Sequence, residues 1–383
     1  MFGIEKAYAD AIIRALRTAQ RALFDTLVSD AISRSHVLHK GDTLGLDQRP
    51  ENAITSALQK FDPHCIIITE ERGAVNPFAI EGPTSLQGAR TFFGCDPFDR
   101  SNQACDFFKK HGNQAEKIVD VIRRSNICEL WEKEFGGPVS ISSSTSAISC
   151  IRRGLPIATV ILNHFTEEMT LACAAGIYHV KLPKDLALPV TLDYVQQNGV
   201  QLAFPQPDYN AGQKIVAFIG KPDRGYPSNF ANCRLVMDTQ LDKHLHYGLP
   251  GGPSRVLYLS NLQPDTTPIG VVVANGEKIG EWIHWLTFTR FAYRLDDRSA
   301  PALRLFEVSQ NQSLMIDGYL MMPSPDYSIF TNYEHRGRVL VSSDKLQSLV
   351  NPSKYRSTLV LIPANNKWAL SQVEQYGYRE IIF

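Results

Sequence analysis

Five acidic residues early in the chain are placed where acids can do chemistry: Asp47, Glu70, Glu71, Asp96 and Asp99. Glu70 and Glu71 close the apolar run HCIIIT (64–69), and Asp96 closes the aromatic run ARTFFGC (89–95). A short continuous apolar run reads as a buried strand, so each of these acids is delivered at a strand's C-terminal end. If the two strands are neighbours, Glu70 and Asp96 converge. Carboxylates held that close repel one another unless cations hold them. Mg²⁺ is the natural cation, being hard, oxygen-seeking and usually shared between carboxylates and substrate phosphate oxygens. The D-P-x-D turn sets Asp96 and Asp99 one tight turn apart, and the Phe98 carbonyl between them offers a neutral ligand. Just beyond, Ser101 supplies a hydroxyl where successive backbone N–H groups could face a phosphate. Taken singly, D-P-x-D reads as an ordinary Asp-Pro turn and Glu-Glu as a solvated strand end. The metal reading gains its weight from both motifs following apolar strands.

Those acids need elements to position them. Apolar residues recur at helical spacing from Glu5 to Ile32, which predicts two or three helical segments. PENAITSALQKF (50–61) reads as a helix with Pro50 near its first turn. The stretch 103–137 is helical and charge-rich, its charges reading as a solvated face or a lid over the site. From Ile141 to Val180, β-branched runs broken by short turns read as an antiparallel meander. Beyond it, strands are expected near Lys214–Ile219, Arg255–Ser260, Val339–Val341 and Leu359–Ile362. Helices are expected over Lys278–Arg294, Ala302–Gln310 and Trp368–Gln375. Strands in runs with paired helices predict a layered α/β or α+β sandwich.

Composition narrows the function classes. The 383 residues suit one large domain or two closely packed ones. Lys plus Arg and Asp plus Glu both total 39, and a balanced chain argues against a general nucleic-acid or membrane-surface binder. Seven cysteines stand at wide spacings with no C-x-x-C pair, which reads as free thiols in a reducing cytoplasm and not as a zinc site or disulfide framework. The N-terminus shows no signal-peptide pattern, and no run approaches the 18 or so apolar residues of a membrane-spanning helix.

The motifs, in their order, resemble the inositol monophosphatase and fructose-1,6-bisphosphatase superfamily of metal-dependent, lithium-sensitive phosphatases. KGDTLGLDQRPENAI (40–54) resembles the segment with the family's first aspartate, giving Asp47. IIITEERG (66–73) resembles the strand ending in the metal-binding glutamate, giving Glu70. GCDPFDRS (94–101) resembles the D-P-(aliphatic)-D-G-(Thr/Ser) signature, giving Asp96, Asp99 and Ser101. The stretch 298–330 resembles the helix, strand and last aspartate of the C-terminal half, giving Asp326, and LIPANNKWALSQV (361–373) resembles the closing strand and helix. The sequence departs from the family pattern at Arg100, where Gly is usual, at Pro325, where Trp precedes the last aspartate, and near Met321, which is apolar where the family contacts inositol with an acid.

The resemblance implies an α+β fold of αβαβα layers. A mostly antiparallel N-terminal sheet would lie in 1–183, and a smaller C-terminal α/β part in 184–383 with an enlarged insertion at about 185–290. It implies a phosphomonoesterase acting on a small sugar or polyol phosphate, in a cytoplasmic homodimer, with two or three Mg²⁺ ions or Mn²⁺ in their place. Two ions about 4 Å apart would clamp the attacking and leaving oxygens. Glu70, Asp96 and the Phe98 carbonyl would hold one ion, and Asp96, Asp99 and Asp326 the second. Asp47 and Ser101, with Glu70, would orient and deprotonate the water. Arg100 either binds phosphate through its guanidinium or points away and offers only its N–H. A catalytically silent member that binds a sugar phosphate or a protein is the alternative.

Other signatures fail. Asp96 and Asp99 are three apart with Pro97 between, which excludes a D-x-D-x-T phosphatase. Gly220-Lys221 is followed by Pro222 and makes no Walker loop, and no G-x-S-x-G elbow occurs. His244 and His246 read as a surface pair before a metal site, and Trp282 and Trp285 as packing residues on one helix.

Overall fold

The opening amphipathic stretch forms one long helix, α1 (Phe2–Phe24), and Ala9, Ile12, Ile13, Leu16, Ala19 and Leu23 along it are fully buried. This is the three-and-four spacing of a helix with one face in a core. The structure is a computed structural model that describes residues 2–37, 41–69, 73–75, 91–136, 139–152, 155–202, 215–220, 234–235, 271–277, 279–292, 294, 303–309, 357–375 and 379–381. A short helix α2 (Val28–Ala31) and a hairpin of β1 (Arg34–Val37) and β2 (Gly41–Leu44) lead into α3 (Gly45–Phe61), which packs along α1.

The helix α3 begins five residues before Pro50, so the predicted start is corrected. The reason is tertiary. A Cβ on residue 45 would lie 2.2 Å from the Asp30 carbonyl oxygen, so only glycine lets this helix start against α2.

Eight strands form the first sheet: β3 (Ile66–Thr69), β4 (Gly73–Val75), β5 (Thr91–Asp96), β6 (Thr145–Arg152), β7 (Leu155–Asn163), β8 (Glu168–Cys173), β9 (Gly176–Lys181) and β10 (Val200–Gln201). Their order is β10-β9-β8-β7-β6-β5-β3-β4, and every neighbouring pair is antiparallel except β3 with β5. The predicted meander is therefore present. Alternate residues of this sheet, among them Phe93, Cys95, Ile148, Cys150, Val160 and Leu171, share one core with α1 and α3.

The other face carries α9 (Ile279–Ala292), which touches β5 to β9 and also reaches β13 (Val271–Glu277) and β15 (Ser357–Pro363). A helix between two sheets must be apolar all round. Ile283, His284, Trp285, Leu286, Thr287, Phe288 and Thr289 are all buried. The second sheet runs β12 (Arg234–Leu235), β11 (Ile215–Gly220), β13, β15, β14 (Leu303–Ser309), β16 (Arg379–Ile381); β11 pairs in parallel with β12 and β13, and the rest pair antiparallel. The arrangement is a layered α+β sandwich, as expected.

One predicted helix is wrong. Residues 303–309 lie within Ala302–Gln310 and form a strand paired on both sides, with Leu305 opposite Leu361 and Ile381. Arg304 clasps Glu380 of β16 through two bonds of 2.7 and 2.6 Å. Pairing on two edges outweighs the helical spacing of a short apolar run.

The charge-rich stretch is three helices, α4 (Ser101–His111), α5 (Ile118–Ile122) and α6 (Ile127–Phe135), and α7 (Val139–Ser142) follows. They enclose their own core of Phe98, Phe107, Phe108, Ile118, Ile127, Trp131 and Phe165. The charges lie outside, as on Lys110 and Glu134, while the apolar faces are committed to packing. Two further helices, α8 (Leu192–Asn198) and α10 (Lys367–Gln375), complete the described elements. The six cysteines among the described residues are free thiols, and burial pushes Cys65 up to about 12 and Cys173 up to about 11. No described helix is long and apolar enough to cross a membrane. The strands predicted near 255–260 and 339–341, and the His244–His246 pair, lie outside the described residues.

Candidate active site

Strand β5 ends on Asp96 and the chain turns through Pro97, Phe98, Asp99 and Arg100 into α4, whose first residue is the half-buried Ser101. Asp96 pairs with Ala147 of β6, and the Asp99 amide donates to the Thr145 carbonyl at 2.8 Å. Asp96 and Asp99 are 3% and 7% exposed, so the turn brings two carboxylates and the Phe98 backbone into a nearly dry place.

Strand β3 lies beside β5 in parallel, with Thr69 opposite Cys95, the residue before Asp96. The two strands are therefore neighbours, which is the condition that the convergence of Glu70 and Asp96 requires. Glu70 follows Thr69 in sequence and lies outside the described residues, as do Glu71 and Asp326.

Asp47 is 4% exposed in the first turn of α3, where the helix dipole favours a negative charge. One turn on, Glu51 accepts a hydrogen bond from the Thr69 hydroxyl. Positions 47 and 51 share a helix face, so this bond pins the Asp47 face of α3 to the end of β3. Helix α3 also touches α4, the helix that Ser101 begins. Sequence reasoning passed over Glu51. Its only signal was a second acid four residues after Asp47.

Arg100 sits in the left-handed region, at φ 66° and ψ 31°. Glycine is the residue that adopts this conformation at no steric cost, which gives the departure from the family's usual glycine its physical content. The Arg100 guanidinium is buried and donates to the Ser142 carbonyl. Burial lowers its pKa to about 10, against the raising effect of Asp99. The Ser142 hydroxyl accepts from Trp131 Nε1 at 3.1 Å, which ties α6 and α7 to the turn.

The chemistry of this donor set fits a hard divalent cation: carboxylates and a backbone carbonyl, with oxygen as the only donor atom. Among the described residues, no three Asp, Glu, His or Cys side chains form a metal-binding group. Two of the expected ligands, Glu70 and Asp326, are not among those residues. Beside the turn, the hydroxyls of Ser144 and Thr145 are fully buried and have no hydrogen-bond partner among the described residues. Buried hydroxyls without protein partners suit a place where water or an oxyanion supplies the missing bonds.

No protein-family model matches the chain, and no curated protein matches it. Among solved structures, the chain is similar to CysQ from Bacteroides thetaiotaomicron, a bacterial member of the inositol monophosphatase family, at 11% identity over 94% of this chain and 97% of that one, with a TM-score of 0.45. It is similar to the extragenic suppressor protein suhB from Bartonella henselae at 11% identity over 96% and 98%, with a TM-score of 0.41. An inositol monophosphatase from Anabaena (Nostoc) sp. PCC 7120 is similar at 9% identity over 97% and 96%, with a TM-score of 0.41.

Proposed function

We propose that the chain is a metal-dependent phosphomonoesterase that hydrolyses a small phosphorylated sugar or polyol. The observation that supports this most is the buried pair Asp96 and Asp99, flanking a two-residue turn that opens directly into α4. Two carboxylates buried side by side favour a cation between them. A helix N-terminus one residue on is a natural seat for phosphate.

Asp96, Asp99 and the Phe98 carbonyl, with Glu70 and Asp326, would hold Mg²⁺. Bound there, Mg²⁺ supplies charge neutralisation for the attacking and leaving oxygens of an in-line displacement. The first amides of α4 and the Ser101 hydroxyl bind and orient the phosphate. Asp47, with Ser101 and Glu70, orients the attacking water and accepts its proton. The Arg100 side chain is engaged with Ser142, so its part at the phosphate falls to its backbone. Helices α6 and α7 support the far side of the turn through Trp131 and Ser142.

The test is phosphate release from a panel of sugar and inositol phosphates, with and without Mg²⁺, for the wild type and Asp96→Asn. Mg²⁺-dependent release that falls at least about 100-fold in Asp96→Asn is expected, the scale of losing one charge-stabilising group. Full activity in Asp96→Asn would sink the assignment. No turnover on any ester, with Mg²⁺ still bound, would instead mark a silent binding protein.

A further inference from the structure

The Asp96–Asp99 turn rests on two buried residues, one on β6 and one just after β7, that the reaction outlined above does not use. Ser146 on β6 donates its hydroxyl proton to the Pro97 carbonyl, which can only accept. The Ser146 hydroxyl oxygen lies 2.7 Å from His164 Nε2. With its one proton committed to Pro97, Ser146 must accept there, so His164 carries its proton on Nε2 and Nδ1 is bare. Nδ1 is buried without a partner among the described residues, and a second ring proton would leave a buried N–H unbonded there. The His164 ring stacks on Phe98 at 5.2 Å between centroids and 24° between planes. Behind it lies Phe24 of α1, at 6.4 Å. The His164 amide donates to the Ser144 carbonyl, and the next carbonyl, of Thr145, receives the Asp99 amide.

Each residue of the turn thus has its own support. Asp96 is held by the sheet ladder, Pro97 by Ser146, Phe98 by His164 and Asp99 by Thr145. A hydroxyl and an imidazole, both fully buried, stand where an apolar pair would fill the same space. A directional polar chain admits fewer arrangements than apolar packing.

We infer that Ser146 and His164 are positioning residues that hold the Pro97–Phe98 segment, and with it the two flanking carboxylates, in the arrangement the site needs. The consequence for metal binding rests on the phosphatase reading, while the hold on the turn does not. Two measurements separate them: hydrogen exchange of the Asp99 amide, and Mn²⁺ affinity by electron paramagnetic resonance. Both are made on the full chain, as wild type, Ser146→Ala, His164→Leu, His164→Gln and Asp96→Asn.

Ser146→Ala and His164→Leu are expected to speed Asp99 exchange about tenfold with the amides of α1 unchanged. They are also expected to weaken Mn²⁺ binding about tenfold, the usual effect of losing a residue that orients ligands. The Gln side-chain amide reaches the position of ring Nε2–H, so His164→Gln is expected to return both values to near wild type. Wild-type Asp99 exchange in Ser146→Ala and His164→Leu overturns the inference, as does a rise shared equally by α1. Failure of the wild type to bind Mn²⁺, or equal binding by Asp96→Asn, overturns the metal reading alone, and the exchange result still decides the positioning.

Discussion

At Arg100 two local energies oppose each other. A side chain in the left-handed region costs about 1–2 kcal/mol relative to glycine. The guanidinium offsets this by reaching a buried carbonyl, since a hydrogen bond from a charged donor contributes about 1.5–3 kcal/mol. Arg100→Ala keeps the backbone cost and loses the bond. Arg100→Gly loses the bond and relieves the backbone. Both variants are expected to be less stable than wild type, with Arg100→Gly the more stable of the two by about 1 kcal/mol in urea unfolding. The reverse order would be inconsistent with the left-handed conformation. The burial of Asp96 and Asp99 at a strand end was legible from residue type and spacing, because D-P-x-D after an apolar run is a local pattern. Glu51, Ser146 and His164 were not. Their roles arise from contacts between α3 and β3, or between β6, β7 and the turn, and no spacing along the chain encodes those contacts.

Among the elements, α9 and β5 pack closely. A Cβ at Gly94 would lie 3.1 Å from Ile283 Cδ1, so a side chain at residue 94 would push on the Ile283 side chain of α9. Gly94→Ala is expected to cost about 1–3 kcal/mol by overpacking. Adding Ile283→Ala should recover part of that loss, and additive losses in the double variant would show that the two do not meet. The same interface buries His284, whose Nδ1 lies 2.6 Å from the Ser149 hydroxyl, itself 2.6 Å from Thr159. Burial lowers the His284 pKa from 6.5 to about 3. The folded group therefore stays neutral between those values while the unfolded chain takes up a proton, so stability falls as pH drops from about 6.5 toward 3. From pH 7 to pH 5 the loss from this one group is about 2 kcal/mol. A well-packed His284→Asn variant should lose that much less than wild type over the same interval, measured by urea unfolding at each pH. An equal loss would place the acid sensitivity elsewhere. The strands of the first sheet were legible because apolar runs and alternation survive any packing. The start of α3 and the strand β14 were not, because Asp30 in one case and two flanking strands in the other decide them.

Over the whole molecule, a formal charge of zero conceals uneven placement. The order of layers followed from strands in runs and paired helices, so the α+β class was legible, whereas the pairing of β11 with both β12 and β13 needed the folded chain. That order puts the Asp47 turn of α3, the end of β3 and the end of β5 together at one end of the first sheet. Asp47, Glu51, Asp96 and Asp99 are all buried there. Unfolding would release these acids to water, so a cation bound among them in the native state is coupled to global stability and not only to chemistry. If Mg²⁺ binds the folded chain alone, a concentration 100 times its Kd stabilises by about 2.7 kcal/mol. Thermal unfolding after chelation and on Mg²⁺ titration is therefore expected to show a rise in Tm that grows with the logarithm of free Mg²⁺. The rise should shrink in Asp96→Asn, because a ligand is gone. It should persist in Gly94→Ala, because that change lies at the α9 contact. A Tm that ignores Mg²⁺ in the wild type would mean that the buried acids find their balance within the chain, and the site would lose its claim to a cation.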